Sequence, residues 1–356
     1  MLEFVLALLL SVHLLAVDLA MMGPLACVWL EWRGARSRQP GLADVGRRLA
    51  VLTIWALVGG SALGMLMLLL RYQAGDGSYI SALASIPRNR LWFGLVELLF
   101  SLICLCVYLA AWNRLKNHRL WHRLFAVAAA TNLLMHFPAL FSVVSVVGTR
   151  PGLVGQTIDR DAYRRLLIDP EVLSRVAHVW LAAAAVTGVV LMALGARIIA
   201  RGEESGAAVG RQCVTQGALA ALAATVMQFP AGIWVALAMP EDSRQRLLGG
   251  DWLVTGCFAA SLLLALLLMH MLSAAAQGDA GQPRVRRLAG VLTLLTFLMV
   301  GTRLRLNELA SVPAGRPAAA APSGGAVLAS TTRSASIGGL NEVLSRSSME
   351  WLIQCP

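Results

Sequence analysis

An all-α fold, a polytopic transmembrane helix bundle of about eight helices with its N-terminus outside, is what this chain predicts. Three observations carry the prediction. The first is composition: 58% of the 356 residues are hydrophobic, only 14% are charged, and the mean hydropathy is +0.69. A soluble protein of this length could not solvate such a surface. The second is run length. A membrane span needs about 20 apolar residues, and runs of that size fall near 2–30, 48–70, 91–112, 123–147, 172–200, 212–239, 252–277 and 286–302. The third is the alternation of charge between the short connections. Those after the first, third, fifth and seventh runs are basic, with Arg33, Arg36, Arg38, Arg47 and Arg48 as the densest set. The opposite connections hold most of the acids, among them Asp76, Asp159, Asp161, Asp169, Glu241 and Asp242. Basic loops stay on the inner side, which puts the N-terminus outside.

The first run begins with neither a basic n-region nor a small-residue cleavage site before Arg33, so it reads as a retained helix rather than a signal peptide. The second contains Gly60 and Gly64 in a G-x-x-x-G, a weak signal for close helix contact. The fourth and sixth runs echo each other, Asn132-Leu-Leu-Met-His-Phe-Pro against Thr225-Val-Met-Gln-Phe-Pro. Each proline frees the carbonyl four residues earlier, at Leu134 and Val226, and something must re-satisfy it within the membrane. The longest connection, 148–171, has room for a short surface helix over 158–168. Residues 1–303 thus form the membrane bundle. Residues 304–356 form a low-complexity tail: 313–337 is rich in Ala, Pro, Ser and Gly, cannot bury a core, and is expected to be disordered.

A net charge of +11 would suggest nucleic acid in a soluble protein. Here the arginines are spread over short loops, where they set topology and meet anionic lipid head groups, so the partner they imply is the bilayer, with no nucleic acid. Five of the six cysteines (Cys27, Cys104, Cys106, Cys213 and Cys257) lie in apolar segments as small hydrophobes. No C-x-x-C-H, zinc spacing, phosphate-binding loop or nucleophile elbow occurs.

The chemistry lies in ionisable groups at membrane depth. His13, His136, His178 and His270 fall within or at the edge of apolar runs, and Glu97 lies inside another. Each such group costs roughly 2.5–3.5 kcal/mol in hydrocarbon even on mild scales, unless it faces protein, a cavity or a metal. Neutral imidazole is also a good axial ligand for haem iron. His178 reads as a haem ligand or as a core histidine bonded to a carbonyl. Arg175, three residues earlier on the same face, would pair with a propionate or a head group. His13 reads as a ligand or as a partner of Asp18. Glu97 reads as a metal ligand, a proton carrier or a helix-packing hydrogen bonder. His136 is a ligand or a kink-stabilising donor, with Asn132 four residues away on the same face. His13, Glu97 and His178 share the outer half of the membrane. His118 and His122 are expected to be solvated or lipid-facing, and His270 interfacial, although Met269-His270-Met271 could bind soft metal.

These residues, in this order, resemble the haem-carrying subunit I of cytochrome bd quinol oxidases. His13 stands in the outer half of the first helix. Leu91-Trp-Phe-Gly-Leu-Val-Glu-Leu-Leu-Phe, running on to Ala111-Trp-Asn-Arg-Leu, resembles the family's third helix. Asn132-Leu with Gly148-Thr-Arg-Pro resembles its fourth, and Val176-Ala-His-Val-Trp with Val186-Thr-Gly its fifth. The resemblance covers roughly residues 1–200. It implies one or more haem b groups and a second haem. His178 would ligate the low-spin haem, His13 would ligate a haem of the active-site pair, and Glu97 would ligate haem or deliver protons. It also implies a second membrane subunit or a cytochrome as partner, quinol as donor, and the bacterial inner membrane as location. The chain departs from the family in the brevity of the Met239–Asp251 connection, where the family has a long quinol-binding loop. It also lacks a methionine in Asp251-Trp-Leu-Val-Thr-Gly-Cys-Phe, so Met227, Met239 or His136 would take the ligand's place, His136 being preferred on chemistry. Two other readings stand beside this one: a non-haem transporter or ion pathway using Glu97 and His136, and a structural subunit of a respiratory complex.

Overall fold

A computed structural model describes residues 2–74, 77–115, 118–150, 152–153, 155–202, 204–278 and 281–311. Among them there is no strand, and the helices follow the apolar runs. Eight helices are long and apolar enough to cross a membrane: α1 (Leu2–Arg36), α2 (Pro40–Gln73), α4 (Arg88–Ala110), α5 (Arg119–Thr149), α7 (Pro170–Ala200), α8 (Glu204–Ala238), α10 (Trp252–Ala276) and α11 (Gln282–Ser311). Short helices α3 (Gly77–Ser85), α6 (Arg160–Leu167) and α9 (Glu241–Gln245) occupy connections. The expected surface helix is α6, and α3 is an addition that the loop composition did not suggest. Most spans run beyond the apolar runs at one end or both, α10 excepted, because arginine stems can lie along the helix while their heads reach water. The tail after 311 lies outside the described residues.

Consecutive spans pack as antiparallel neighbours, α1 with α2, α4 with α5, α7 with α8 and α10 with α11. α1 and α7 also pack against each other and against α5 and α11, so they form the centre. The most apolar stretch of α7 is 61% buried, against 22–33% for the other spans, which makes α7 the axis of the bundle.

The α7–α8 contact depends on four glycines. A Cβ on Gly188 would come within 2.5 Å of the Gly217 carbonyl oxygen, and one on Gly195 within 2.5 Å of the Gly210 oxygen. The two backbones therefore touch, as small residues permit between helices in lipid. Helix ends are fixed by side-chain caps. Asp159 accepts from Ala162 N at 2.6 Å, Asp169 from Glu171 N at 2.9 Å, and Asp251 from Leu253 and Val254 N at 3.0 Å each.

An ion-pair network fastens the start of α7 to the end of α5. Arg150 donates to both oxygens of Asp169, at 2.8 and 3.2 Å, and to Glu171 at 2.8 Å. Arg175 donates to Glu171 and, at 2.7 Å, to Ser145 Oγ. Glu171 is 1% exposed and serves both arginines.

Gly188→Ala should lower the thermal midpoint of the detergent-solubilised protein, by about 1–3 kcal/mol of overpacking. Gly59→Ala should not, since nothing lies within 4 Å of a Cβ there. Equal effects would refute the seam. The Arg150 hydrogen bonds hold the Asp169 carboxyl below its ordinary range. The stability it contributes is complete above the ordinary carboxylate pKa and is lost as pH falls through the depressed one. Thermal midpoints measured down a pH series should therefore drop less steeply in Asp169→Asn than in the parent.

Candidate functional site

His13 is seated by the G-x-x-x-G of α2. Its Nδ1 lies 2.7 Å from the Gly60 carbonyl oxygen. A carbonyl only accepts, so Nδ1 carries the proton and Nε2 keeps its lone pair. A Cβ on Gly64 would come within 3.0 Å of the His13 ring, so this glycine makes the space the imidazole fills. Gly60 serves helix approach as well, a Cβ there meeting Val17 at 2.9 Å. Gly60, and not Asp18, is the partner of His13. Asp18 is buried at 6% exposure elsewhere on α1.

Glu97 and His136 form a pair between α4 and α5. His136 Nδ1 lies 2.8 Å from Glu97 Oε1 and 2.9 Å from Asn132 Oδ1. Asn132 Nδ2 in turn donates to the Glu97 carbonyl and to Ser101 Oγ, each at 2.8 Å. The predicted Asn132–His136 face is real, and it holds Glu97. The pair lies in a small cleft, open at the surface, with about 50 Å³ of space. Arg90, Phe93, Gly94, Leu140 and Tyr163 complete its lining. Arg90 lies over the Tyr163 ring at 5.4 Å, and Phe93 meets the His136 ring edge-on at 6.1 Å.

His178 lies on α7, and its Nδ1 is buried with no hydrogen-bond partner among the described residues. An orphaned imidazole nitrogen in a bundle core is costly unless a ligand is bound to the ring. Arg175, one turn away, is held by Glu171 and Ser145. Trp180, two residues on, donates to the Leu134 carbonyl at 2.8 Å, the group that Pro138 frees in α5. Of the substitutes for a methionine ligand, Met227 is exposed and His136 is turned to α4.

The three residues that the sequence grouped together therefore belong to different helix pairs: His13 between α1 and α2, Glu97 between α4 and α5, and His178 on α7. Among the described residues no three His, Cys, Asp or Glu converge as a side-chain metal cage. His118 and His270 are exposed.

His122 corrects the sequence reading. It is 3% exposed, stacked on Tyr108 at 4.3 Å and edge-on to Trp112 at 5.1 Å. Its Nε2 donates to the Tyr108 carbonyl at 2.8 Å, and its Nδ1 lies 3.2 Å from Glu31 Oε2. Arg123 approaches the other Glu31 oxygen at 3.5 Å. The basic run around His122 suggested an interfacial loop, yet α5 begins at Arg119 and turns His122 inward. Matching depth would have found the pair, since Glu31 closes α1 and His122 opens α5 at the same end of the bundle.

The family model for cytochrome bd terminal oxidase subunit I matches residues 3–267, from the start of α1 into α10. The resemblance read over residues 1–200 thus continues through α8 and beyond. Among solved structures, the bd oxidase from Geobacillus thermodenitrificans has a similar fold, with a TM-score of 0.66 at 15% identity, covering 86% of this chain and 86% of that one. No curated protein matches. The family match favours neither the transporter reading nor the structural-subunit reading. The chain belongs to the cytochrome bd terminal oxidase subunit I family, and is an integral-membrane, haem-carrying subunit of the quinol-oxidase class.

Proposed function

We propose that this chain carries haem b on His13 and His178 as separate axial ligands, and passes electrons from quinol or a redox partner towards oxygen or another acceptor. The observation that carries the reading is the state of two imidazoles. His13 has Nδ1–H committed to Gly60, leaving Nε2 as a free ligand, and His178 has a buried ring nitrogen without a partner. A metal-binding histidine commonly donates its other N–H to a carbonyl, which fixes tautomer and ring orientation. Two candidate ligands on different helices, His13 with that second contact and His178 with its unpartnered nitrogen, call for two haems.

Haem iron supplies reversible one-electron exchange, and its axial ligands and surroundings set the potential. The remaining work falls to side chains. Gly64 leaves room for the His13 ring. Arg175, oriented by Glu171 and Ser145, keeps a cation one turn from His178, the complement of a propionate. Glu97 holds or passes a proton, with Asn132 and His136 fixing its position. A second membrane subunit or a cytochrome completes the unit. The location is the bacterial inner membrane, with the N-terminus outside as the basic loops dictate. The haem-binding domain is the helix bundle, which α11 carries on to Ser311 rather than ending at 303, and the sequence beyond it is the low-complexity tail.

Purified protein should give a pyridine haemochrome of the b type, with at least one haem per chain. His178→Ala should abolish the sharp reduced α-band of a six-coordinate haem, and His13→Ala should remove about half of the bound haem or the CO-binding fraction. Unaltered haem content and spectra in both variants would overturn the ligand assignment. Glu97→Gln should leave haem content intact and slow turnover by roughly 10²-fold, the usual scale for a lost proton carrier.

A further inference from the structure

We propose that the groove between α2 and α4 at the inner face of the membrane is a binding site for an anionic phospholipid. One acyl chain lies along the groove, and the phosphate sits among Arg47, Arg48 and Arg114. The site is separate from the haem ligands and does not depend on the function proposed above.

α2 and α4 pack against each other, and between them about 320 Å³ of space opens to the bilayer. Its lining is apolar apart from one thiol: Val51, Ile54 and Trp55 on α2, and Cys106, Leu109 and Ala110 on α4. Trp55 is 69% exposed, and Cys106 is exposed as well. Each wall ends in arginine at the inner surface. Arg47 precedes Val51 by four residues, so it lies on the same face of α2, about 6 Å nearer that surface. Arg48, three residues before Val51, shares the face. Arg114 follows Ala110 by four residues, within the turn that Leu115 N closes on the Ala111 carbonyl at 2.9 Å. All three arginines are exposed, and among the described residues none has an acidic partner. They outnumber Asp44, the acid one turn before Arg47.

This order of chemistry is that of a phospholipid: charge at the interface, then an apolar channel into the bilayer. Basic pockets between spans on the inner side take anionic head groups, and each arginine adds to the attraction. A zwitterionic head group would bring its own cation against the same arginines. The groove is also one leaflet deep, since its lining residues all lie towards the inner ends of α2 and α4. A partner helix would need a matching face through the outer half as well, whereas a phospholipid ends at the midplane. The bound lipid covers Trp55 and joins the α1–α2 pair to the α4–α5 pair at the inner surface.

The test uses the full chain in phosphatidylcholine nanodiscs, with a trace of phosphatidylglycerol that carries a diazirine in one acyl chain. Photolysis should place adducts on peptides that include residues 51–55 or 106–110, and unlabelled phosphatidylglycerol should displace them. The same probe with a phosphatidylcholine head group should label these peptides no more than the other spans. Arg47→Gln with Arg114→Gln should weaken the labelling roughly thirtyfold, about fivefold for each arginine lost. Arg197→Gln with Arg201→Gln removes the same charge from another inner connection and should leave it unchanged. Ala110→Phe, which narrows the groove and keeps the arginines, should also remove the adducts. Cardiolipin as competitor separates a two-phosphate head group from a one-phosphate one, and displacement by either upholds the site. Adducts spread evenly over the spans, equal labelling by the two probes, or equal loss with both arginine pairs overturns the inference. So does a bifunctional maleimide that joins Cys106 to a second membrane protein in the native membrane, since protein and not lipid would then cover the groove.

Discussion

Within hydrocarbon no water replaces a missing hydrogen bond, and the whole arrangement follows from that constraint. It makes every span a helix. It also explains where the polar side chains go. Ser11, Thr53, Thr225, Ser261 and Thr302 each return their hydroxyl to the carbonyl four residues back, so they add no demand on neighbours. The carbonyl freed by Pro138 is met by the Trp180 indole, which ties α5 to α7 at the level of His178. Ionisable groups pair across helices in the same way, Glu31 with His122 at one end of the bundle and Glu171 with two arginines at the other.

Space is distributed by glycine. On α7 and α8 four glycines close the gap between helices completely. On α2 a glycine does the reverse and leaves a recess that a histidine ring fills. The same residue type thus decides where nothing can bind and where a functional side chain can stand. Between α4 and α5 the gap is held open by the Glu97–His136 pair and the Phe93 ring.

The spans were legible because run length and hydropathy reflect a single constraint, the thickness of the bilayer. The fold family was legible from a few residues in order, and the match over 3–267 extends what those residues carried. The Asn132–His136 face followed from helical spacing alone. What was hidden is contact between distant segments. Gly60 as the partner of His13 requires knowing how α1 and α2 cross, and Asp18, nearer in sequence, was the wrong choice. His122 was misread because charge density describes a segment, whereas burial depends on the rotation of α5 about its axis. The cleft at Glu97 is invisible in sequence, since Arg90 and Tyr163 come from elements with no shared pattern.

His178 belongs to the helix that the rest of the bundle surrounds. An iron held there would be gripped from the part of the protein least able to move and least exposed to water. Electron transfer slows when dipoles around the redox centre must rearrange with each change of charge. A ligand on α7, braced by the glycine seam on one side and by Trp180 on the other, would keep that rearrangement small. If His178 is the ligand proposed above, the central position of α7 would favour a low reorganisation energy and fast charging and discharging of the centre.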